Sequence, residues 1–547
     1  MSSRDEALAI GRLGHAVFRR FGELGVPSFA FVNGAALGGG LELALHCSYR
    51  TISSGVTAVA FPECFLGLLP GWGGTYLLPH LIGPGGALKV IVENPLSQNR
   101  MLNGSKAHAL GIADAMFSPA DFLAESLRWV GQVLTGAVSV TRAPVDEDWD
   151  AALASARFFA DGKLHGAAPA PCRAIDLVAG ARGRSRDEGF AAEDEGLADL
   201  LLSEELRAGL YAFDLTQKRA RKAVGAPDAS LARPVTKVGV VGAGLMAAQI
   251  ALLFARRLEV PVVLTDLDQA RLDAGVGYVR AEVAKLRDRG RISSDAAARL
   301  TALVTGSLTK DAFADADFVI EAVFEEIAVK QRVFAEVEAV VRPDCVLATN
   351  TSSLSVTEMG AVLAHPSRLV GFHFFNPVAM MPLVEVVRAG ATDDAALATA
   401  LGVGKALKKN CVLVKDAPAF VVNRLLTRFL GEIIGCVDEG TPFEVAERAP
   451  DPLGLPMSPF FLLQLVGPAV ALHVGETLHA AYPDRFAVSP KLSALVAAGD
   501  EGVVAAPEDI DLCMILGAGW PFHLGGITPY LDRAGITEKV TGTRFRP

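Results

Sequence analysis

The spacing of apolar residues divides this chain into segments of different texture. The opening MSSRDEALAIGRLGHAVFRRF sets apolar positions at helical spacing between charges and predicts an amphipathic helix. Residues 1–135 continue as short strands and helices rich in glycine. From about Ala137 to Gly196 the pattern loosens, and PVDEDWD, HGAAPAPCRA and ARGRSRDEGFAAEDEG read as surface-lying connector. A helix starts at Ser203, with Leu206, Leu210 and Phe213 on one face, and GAPDASLARP follows as a linker. Residues 136–232 are therefore expected to be a connector with one linking helix. At Lys237 short apolar runs begin to alternate with helical periods, a β-α-β pattern that runs to about Asp416 and gives a domain over 233–415. The remainder is mostly helical, with one unit over 416–499 and a second piece over 500–547. Asp438-Glu439-Gly440 and Asp500-Glu501-Gly502 each precede a Pro-Phe turn and another helix, which reads as a duplicated helical unit.

Composition narrows the class. Of 547 residues, 51% are apolar and 20% charged, enough to fill several cores and unlike a disordered chain. The net charge of −10, with no Lys/Arg block, argues against nucleic acid as a partner. No apolar run of about 18 residues is present that would span a bilayer, and the charged start is not a signal peptide. Seven scattered cysteines without a CxxC pair argue against a disulfide framework or a metal site and fit a reducing cytoplasm.

The segment from Lys237, KVGVVGAGLMAAQIALLFA, reads as buried strand, tight turn and helix. Gly242 and Gly244 stand at the first two positions of G-x-G-x-x-G/A and Ala247 at the third: one for the turn, one for close approach of a pyrophosphate, one for helix–strand packing. The helix N-terminus then offers free N–H groups and a positive dipole end to the phosphates. The next strand, VPVVLTD, ends at Asp266, a carboxylate suited to both ribose hydroxyls and repelling a 2′-phosphate. The cofactor is therefore expected to be NAD and not NADP.

Later apolar strands end in polar residues: Asn350 and Ser352 in VLATNTSSLSV, and His373 and Asn376 in RLVGFHFFNPVAMMPLVEVV. Strand ends line the ligand crevice of a doubly wound sheet. The chain turns at Asn376-Pro377 and returns through Glu385, a spacing that can bring Glu385 beside His373. Oxidation of an alcohol needs a base for the hydroxyl proton, and a histidine backed by a carboxylate suits it. Taken singly, His373 reads equally as a hydrogen-bonded core histidine, Glu385 as an edge charge, and Asn350 and Ser352 as turn formers.

GAGLMA, EAVFEEIAVK, NTSSLSV, GFHFFNPV, LVEVV and FVVNRLL, in that order, resemble the successive signatures of 3-hydroxyacyl-CoA dehydrogenases over roughly 233–480. The resemblance implies an NAD-binding domain of Rossmann type followed by an all-α C-terminal domain. It implies His373 as catalytic base with Glu385 as its partner, and Ser352 and Asn376 around the substrate oxygen and the nicotinamide. It also implies Asn423 facing acyl-CoA, and Met246, Asp266, Phe324, Glu325, Glu326 and Lys330 around the cofactor. Ala247, Ala419 and Ser458 stand where that family usually has glycine.

Upstream, PSFAFVNGAALGGGLELALHC and FPECFLGLLPGWGG resemble the enoyl-CoA hydratase (crotonase) superfamily. The resemblance implies Glu42 and Glu63 as the two glutamates that work across a water, and the Gly39 N–H as an oxyanion donor. Together the two parts resemble the α subunit of bacterial multifunctional fatty-acid-oxidation complexes. The fold class implied is α/β: a partial crotonase-like domain over 1–135, the Rossmann-type domain, then the helical domain. Asp214 on the linking helix and Tyr530 near the end would touch acyl-CoA. The expected partners are acyl-CoA substrates, a thiolase β subunit and further copies of the chain. Two departures are expected: the family's first crotonase strands lie before Met1, and a long stretch is missing between Ala498 and Asp500. The expected activity is oxidation of L-3-hydroxyacyl-CoA, with a compromised hydratase site. A stand-alone 3-hydroxybutyryl-CoA dehydrogenase and a catalytically silent acyl-CoA- or NAD-binding subunit are the rival readings.

Overall fold

The computed structural model describes residues 3–142, 145, 148–218, 223–493 and 496. The chain divides into two units, Met1–Leu215 with Arg448–Ser458, and Thr216–Glu447 with Pro459–Pro547. Tyr530 and the piece over 500–547 lie outside the described residues.

The first unit opens with the helix Arg4–Phe18. Its N-cap Ser3 accepts from the amide of Glu6, acidic residues fill its first turn, and Ala7, Leu8, Gly11 and His15 form the buried stripe. Strands β1 (Phe29–Val32), β2 (Ala36–Leu37), β3 (Tyr49–Ser53), β4 (Val59–Ala60) and β5 (Ala115–Phe117) follow. They form two parallel sheets, one ordered β1-β3-β5 and one pairing β2 with β4. Because β2 and β4 are parallel neighbours, the segments that leave them start side by side. One is the helix Gly39–His46, which carries Glu42; the other is the short helix Glu63–Leu66.

The segment expected to lie on the surface as connector folds instead into three helices, Trp149–Leu164, Pro169–Ala181 and Arg186–Leu201. Ala156, Ala160, Ala170, Ala174, Ile175 and Val178 join Leu41, Ile52, Phe61 and Leu78 in one core. Alanine faces carry little hydrophobic contrast and so hide the helical period, yet small side chains let helices approach closely. The third helix has a full capping box, Ser185 with Glu188, inside the charged run that reads as loop. The helix Glu204–Gln217 matches the one expected from Ser203.

In the second unit, β6 (Val238–Val241), β7 (Val262–Thr265), β8 (Val304–Ser307), β9 (Phe318–Glu321), β10 (Val346–Thr349), β11 (Leu369–Phe374), β12 (Leu383–Arg388) and β13 (Asn410–Lys415) make one sheet. Its order is β13-β12-β11-β10-β9-β6-β7-β8. β6, β7, β9 and β10 are buried along their whole length, as parallel strands covered on both faces must be. β11 and β12 pair antiparallel; the other neighbours are parallel. After β6 the chain moves to β7 on one side and later to β9 on the other. That change of direction opens a crevice at the carboxyl ends of the strands. The helices Val422–Asp438, Pro459–Val466 and Pro468–Ala481 follow the sheet. Among the described residues no single helix is long and apolar enough to cross a membrane.

Candidate active site

The crevice over β6 and β7 has the form that a dinucleotide needs. Gly242 follows β6 at φ 104°, and a Cβ there would lie 2.8 Å from the carbonyl oxygen of Ala322. Only glycine fits such a turn. A Cβ on Gly244 would meet nothing within 4 Å. Gly244 is also the N-cap of Leu245–Leu258, with no side chain capping the helix. The first-turn amides therefore have no side-chain cap, as phosphate binding requires. Ala247 is fully buried and Met246 half-buried against the core. Asp266 sits just beyond β7. Its Oδ2 accepts from the amide of Ala243 at 3.0 Å and its Oδ1 from that of Leu267 at 2.8 Å. The acid thus braces the glycine turn.

The ends of β9, β10 and β11 carry the other polar groups. His373 and Glu385 are register partners on β11 and β12. His373 Nδ1 lies 2.9 Å from Glu385 Oε2, and both residues are buried. Glu385 Oε1 accepts from the amides of Val421 and Val422 at 3.1 and 3.0 Å, so neither oxygen is idle. Glu325 Oε1 takes the amide of Ser352 at 2.7 Å and the hydroxyl of Thr351 at 2.6 Å. Asn423 Nδ2 donates to the carbonyl of Ser352 at 3.2 Å. Asn350 Oδ1 accepts from the amide of Phe374 at 2.9 Å. His373, Glu385, Ser352, Glu325 and Asn423 are thereby joined in one network with the start of the helix Val422–Asp438.

Lys330 is turned inward. Its Nζ lies 2.9 Å from Glu321 Oε1 and 3.1 Å from Glu325 Oε2, with Lys330 and Glu321 almost without exposure. Burial disfavours the ammonium, but the two carboxylates outweigh it and hold the Lys330 pKa above its ordinary value. Burial likewise opposes the Glu325 charge; the Lys330 ammonium and the Thr351 and Ser352 bonds overcome it and hold that carboxyl low. Phe324 is exposed, and Glu326 caps the helix Ile327–Glu338 without a side-chain bond.

Three residues absent from the sequence expectations complete this site. Gln249 donates from Nε2 to Asn376 Oδ1 at 3.2 Å and accepts the amide of Val378 at 2.8 Å. Lys409 donates to the carbonyls of Val378 and Met381, both at 2.6 Å. Together they fix the loop that carries Asn376. Glu321, the inner partner of Lys330, is a lone acid closing an apolar strand. Such an acid is a signal that sequence alone carries; Gln249 and Lys409 offer no comparable one. Ala419, where glycine was expected, adopts φ 56° with its side chain buried, a conformation that costs an L-residue roughly 1–2 kcal/mol.

The first unit holds the second pair. Glu42 Oε1 accepts from the amides of Trp72 and Gly74 at 2.7 and 2.9 Å. Burial, then the charges of Glu193 and Glu63, push its pKa well above the usual carboxylate range. Glu63 Oε2 is buried with no hydrogen-bond partner among the described residues. Burial lifts Glu63 to about 7. Gly38 has φ 51°, and a Cβ there would lie 2.3 Å from Glu63 Oε1. Gly39 backs onto Trp72, whose ring lies 2.6 Å from where its Cβ would be. Two carboxyls that resist ionisation, set on neighbouring segments, suit proton transfer to and from carbon and water. Asp214 lies exposed on the helix Glu204–Gln217.

Residues 237–417 match the 3-hydroxyacyl-CoA dehydrogenase NAD binding domain, 420–503 the 3-hydroxyacyl-CoA dehydrogenase C-terminal domain, and 11–139 the enoyl-CoA hydratase/isomerase model. The fatty acid oxidation complex subunit alpha of Pseudomonas putida is 34% identical over 480 residues, covering 86% of this chain and 66% of the relative. This chain therefore spans a little under two thirds of that relative's length. The protein of that name from Acinetobacter baylyi is 28% identical over 610 residues, covering 96% of this chain and 83% of its own. That alignment is longer than the 547 residues here, so the relative carries segments without a counterpart. The solved structure of FadB2 from M. tuberculosis is 35% identical, with a TM-score of 0.47, and covers 49% of this chain and 95% of its own.

Proposed function

Because this chain belongs to the family of fatty acid oxidation complex alpha subunits, with both 3-hydroxyacyl-CoA dehydrogenase domains behind an enoyl-CoA hydratase/isomerase domain, we propose that it oxidises L-3-hydroxyacyl-CoA to 3-oxoacyl-CoA. The single observation that carries this is the buried His373–Glu385 pair near the carboxyl end of β11. Bound NAD supplies the acceptor for the hydride.

His373 is the base. Its Nδ1 is committed to Glu385, and no described residue bonds its Nε2, which is left to take the hydroxyl proton. Glu385 stabilises the imidazolium as it forms. Ser352 and Asn376 flank the substrate oxygen and the nicotinamide side, and Asn423 faces the acyl-CoA. Met246, Ala247, Asp266, Phe324, Glu325 and Glu326 border the cofactor. Lys330 acts through Glu325, since its ammonium is buried between two acids.

Glu42 and Glu63 form a hydratase-type pair for 2-enoyl-CoA in a site compromised for hydration, with Gly39 as oxyanion donor and Asp214 an acyl-CoA contact. Tyr530 has the same role, outside the described residues. The relatives' designation as subunits of a complex supports a partner subunit, which we assign to the thiolase class, acting in the cytoplasm; association with further copies of the chain is also part of this proposal.

The test is turnover of 3-hydroxybutyryl-CoA with NAD by the parent and by His373→Gln. Loss of proton transfer should lower the rate by about 10²–10⁴, with NADH binding by fluorescence unchanged. Undiminished turnover by His373→Gln would remove the histidine from the chemistry.

A further inference from the structure

Four consecutive amides of one turn are shared alternately between two buried carboxylates. Trp72 and Gly74 donate to Glu42 Oε1. Gly73 and Thr75 donate to Glu193, at 2.5 Å to Oε2 and 2.9 Å to Oε1, and the Thr75 hydroxyl adds a bond of 2.7 Å. Glu193 comes from the helix Arg186–Leu201. His15, on the buried stripe of Arg4–Phe18, holds it in turn. Its Nε2 is 2.9 Å from Glu193 Oε2 and its Nδ1 is 2.9 Å from Asp194 Oδ1. The imidazole stacks on Phe190 at 4.3 Å. His15, Glu42, Glu193 and Asp194 are all buried.

This arrangement ties Glu42 to His15 through one rigid segment. Both hydrogen bonds that fix the Glu42 carboxyl come from the turn, and Glu193 holds the amides between them. Charge is transmitted as well as position. An ionised Glu193 beside Glu42 in a low-dielectric interior disfavours ionisation of Glu42, and a protonated His15 offsets that charge. The charges acting on Glu42 are Glu193 on Arg186–Leu201 and Glu63 at the start of Glu63–Leu66; Asp194 faces His15, and Arg186 acts on His46. His46 lies on Glu42's own helix, with Nε2 2.9 Å from the Trp72 carbonyl, and His15 lies on Arg4–Phe18.

We propose that His15 and Glu193 are positioning residues of the Glu42/Glu63 site: they clamp the Trp72–Thr75 turn and set the ionisation of Glu42. The proposal rests on the reading of Glu42 and Glu63 as the hydratase-type pair. Burial lowers and the two carboxylates raise the affinity of His15 for its proton, with a net rise to about 9. The clamp therefore carries its cation at neutral pH.

The experiment is a carboxyl-detected NMR titration of the full chain labelled with ¹³C-glutamate, with the Glu42 signal assigned by its loss in Glu42→Gln. His15→Gln leaves Glu193 uncompensated, and the Glu42 acid dissociation constant should fall by roughly tenfold. Glu193→Gln removes the neighbouring charge, and the constant should rise by roughly tenfold. The double variant should lie near the parent. A purely structural prop would not give opposite signs. Shifts of the same sign, no shift, or loss of folded circular dichroism in both single variants would each overturn the proposal. Crotonyl-CoA hydration is measured in parallel. Opposite shifts with poor or absent hydration would leave the clamp standing in a site compromised for hydration. Robust hydration without opposite shifts would sink the clamp alone.

Discussion

His373 and Glu385 face each other in the register of two antiparallel strands, with Nδ1 and Oε2 2.9 Å apart. Glu385 is also held on its far oxygen by the amides of Val421 and Val422. That second attachment decides what Glu385→Gln would do. The amide oxygen must stay on the two backbone donors, so the NH₂ points at His373 Nδ1. The imidazole then accepts there and carries its proton on Nε2, the wrong tautomer for a base. The expected loss is roughly three to four orders of magnitude in turnover, as for a misassigned tautomer in a hydrolytic triad, with thermal stability little changed. Steady-state rates beside a thermal melt check it. A Glu385→Gln enzyme within tenfold of the parent would refute the assignment.

Asp266 should make the chain favour NAD over NADP, because a 2′-phosphate would set negative charges side by side. The same carboxylate braces the amide of Ala243. Asp266→Ala should therefore narrow the preference while weakening binding of both cofactors. Dissociation constants for NADH and NADPH in both proteins decide this. Equal affinity in the parent would sink the cofactor assignment.

Lys330→Met should be among the most damaging single changes in the second unit. It strands Glu321, which is fully buried and shares its Oε1 with the hydroxyl of Thr349. Breaking one side of a buried pair costs roughly 3–5 kcal/mol. Lys330→Met with Glu321→Gln should recover part of that loss, because the fully buried charge is gone and only Glu325, which keeps its bonds from Thr351 and Ser352, lacks the ammonium. Urea unfolding of the two variants measures it, and equal instability of single and double variants would count against a charge origin.

Stability of the first unit should fall in two steps as pH rises. Glu63 is raised from 4.5 to about 7 in the folded chain by burial. Its ionisation therefore penalises the folded state progressively between those values, and Glu42 acts in the same direction. His15 is raised from 6.5 to about 9, its carboxylate partners outweighing burial. Its contribution is complete below 6.5 and is lost as pH rises through about 9. Each step is worth up to roughly 3 kcal/mol. Trp72, Trp129 and Trp149 report on this unit by fluorescence. His15→Gln should flatten the upper step and Glu63→Gln the lower. A profile unchanged by both variants would rule these groups out as its source.

What the sequence by itself determined is whatever local periodicity and fixed spacing encode. Strand–glycine turn–helix from Lys237, an acid closing the next strand at Asp266, and a histidine and a glutamate twelve residues apart across a turn are all short-range facts. They were legible because backbone conformation and strand register act over a few residues. The helices between Trp149 and Leu201 were not, because alanine-rich faces show no hydrophobic contrast and reveal themselves as core only when packed. Only tertiary structure decided that Lys330 turns inward to Glu321, that Gln249 and Lys409 hold the Asn376 loop, and that His15 meets Glu193 across 178 positions of chain. No sequence period relates such residues. Their pairing follows from burial, because a charge carried into the interior must find its counter-charge or hydrogen-bond partner there, and folding alone selects which one is within reach.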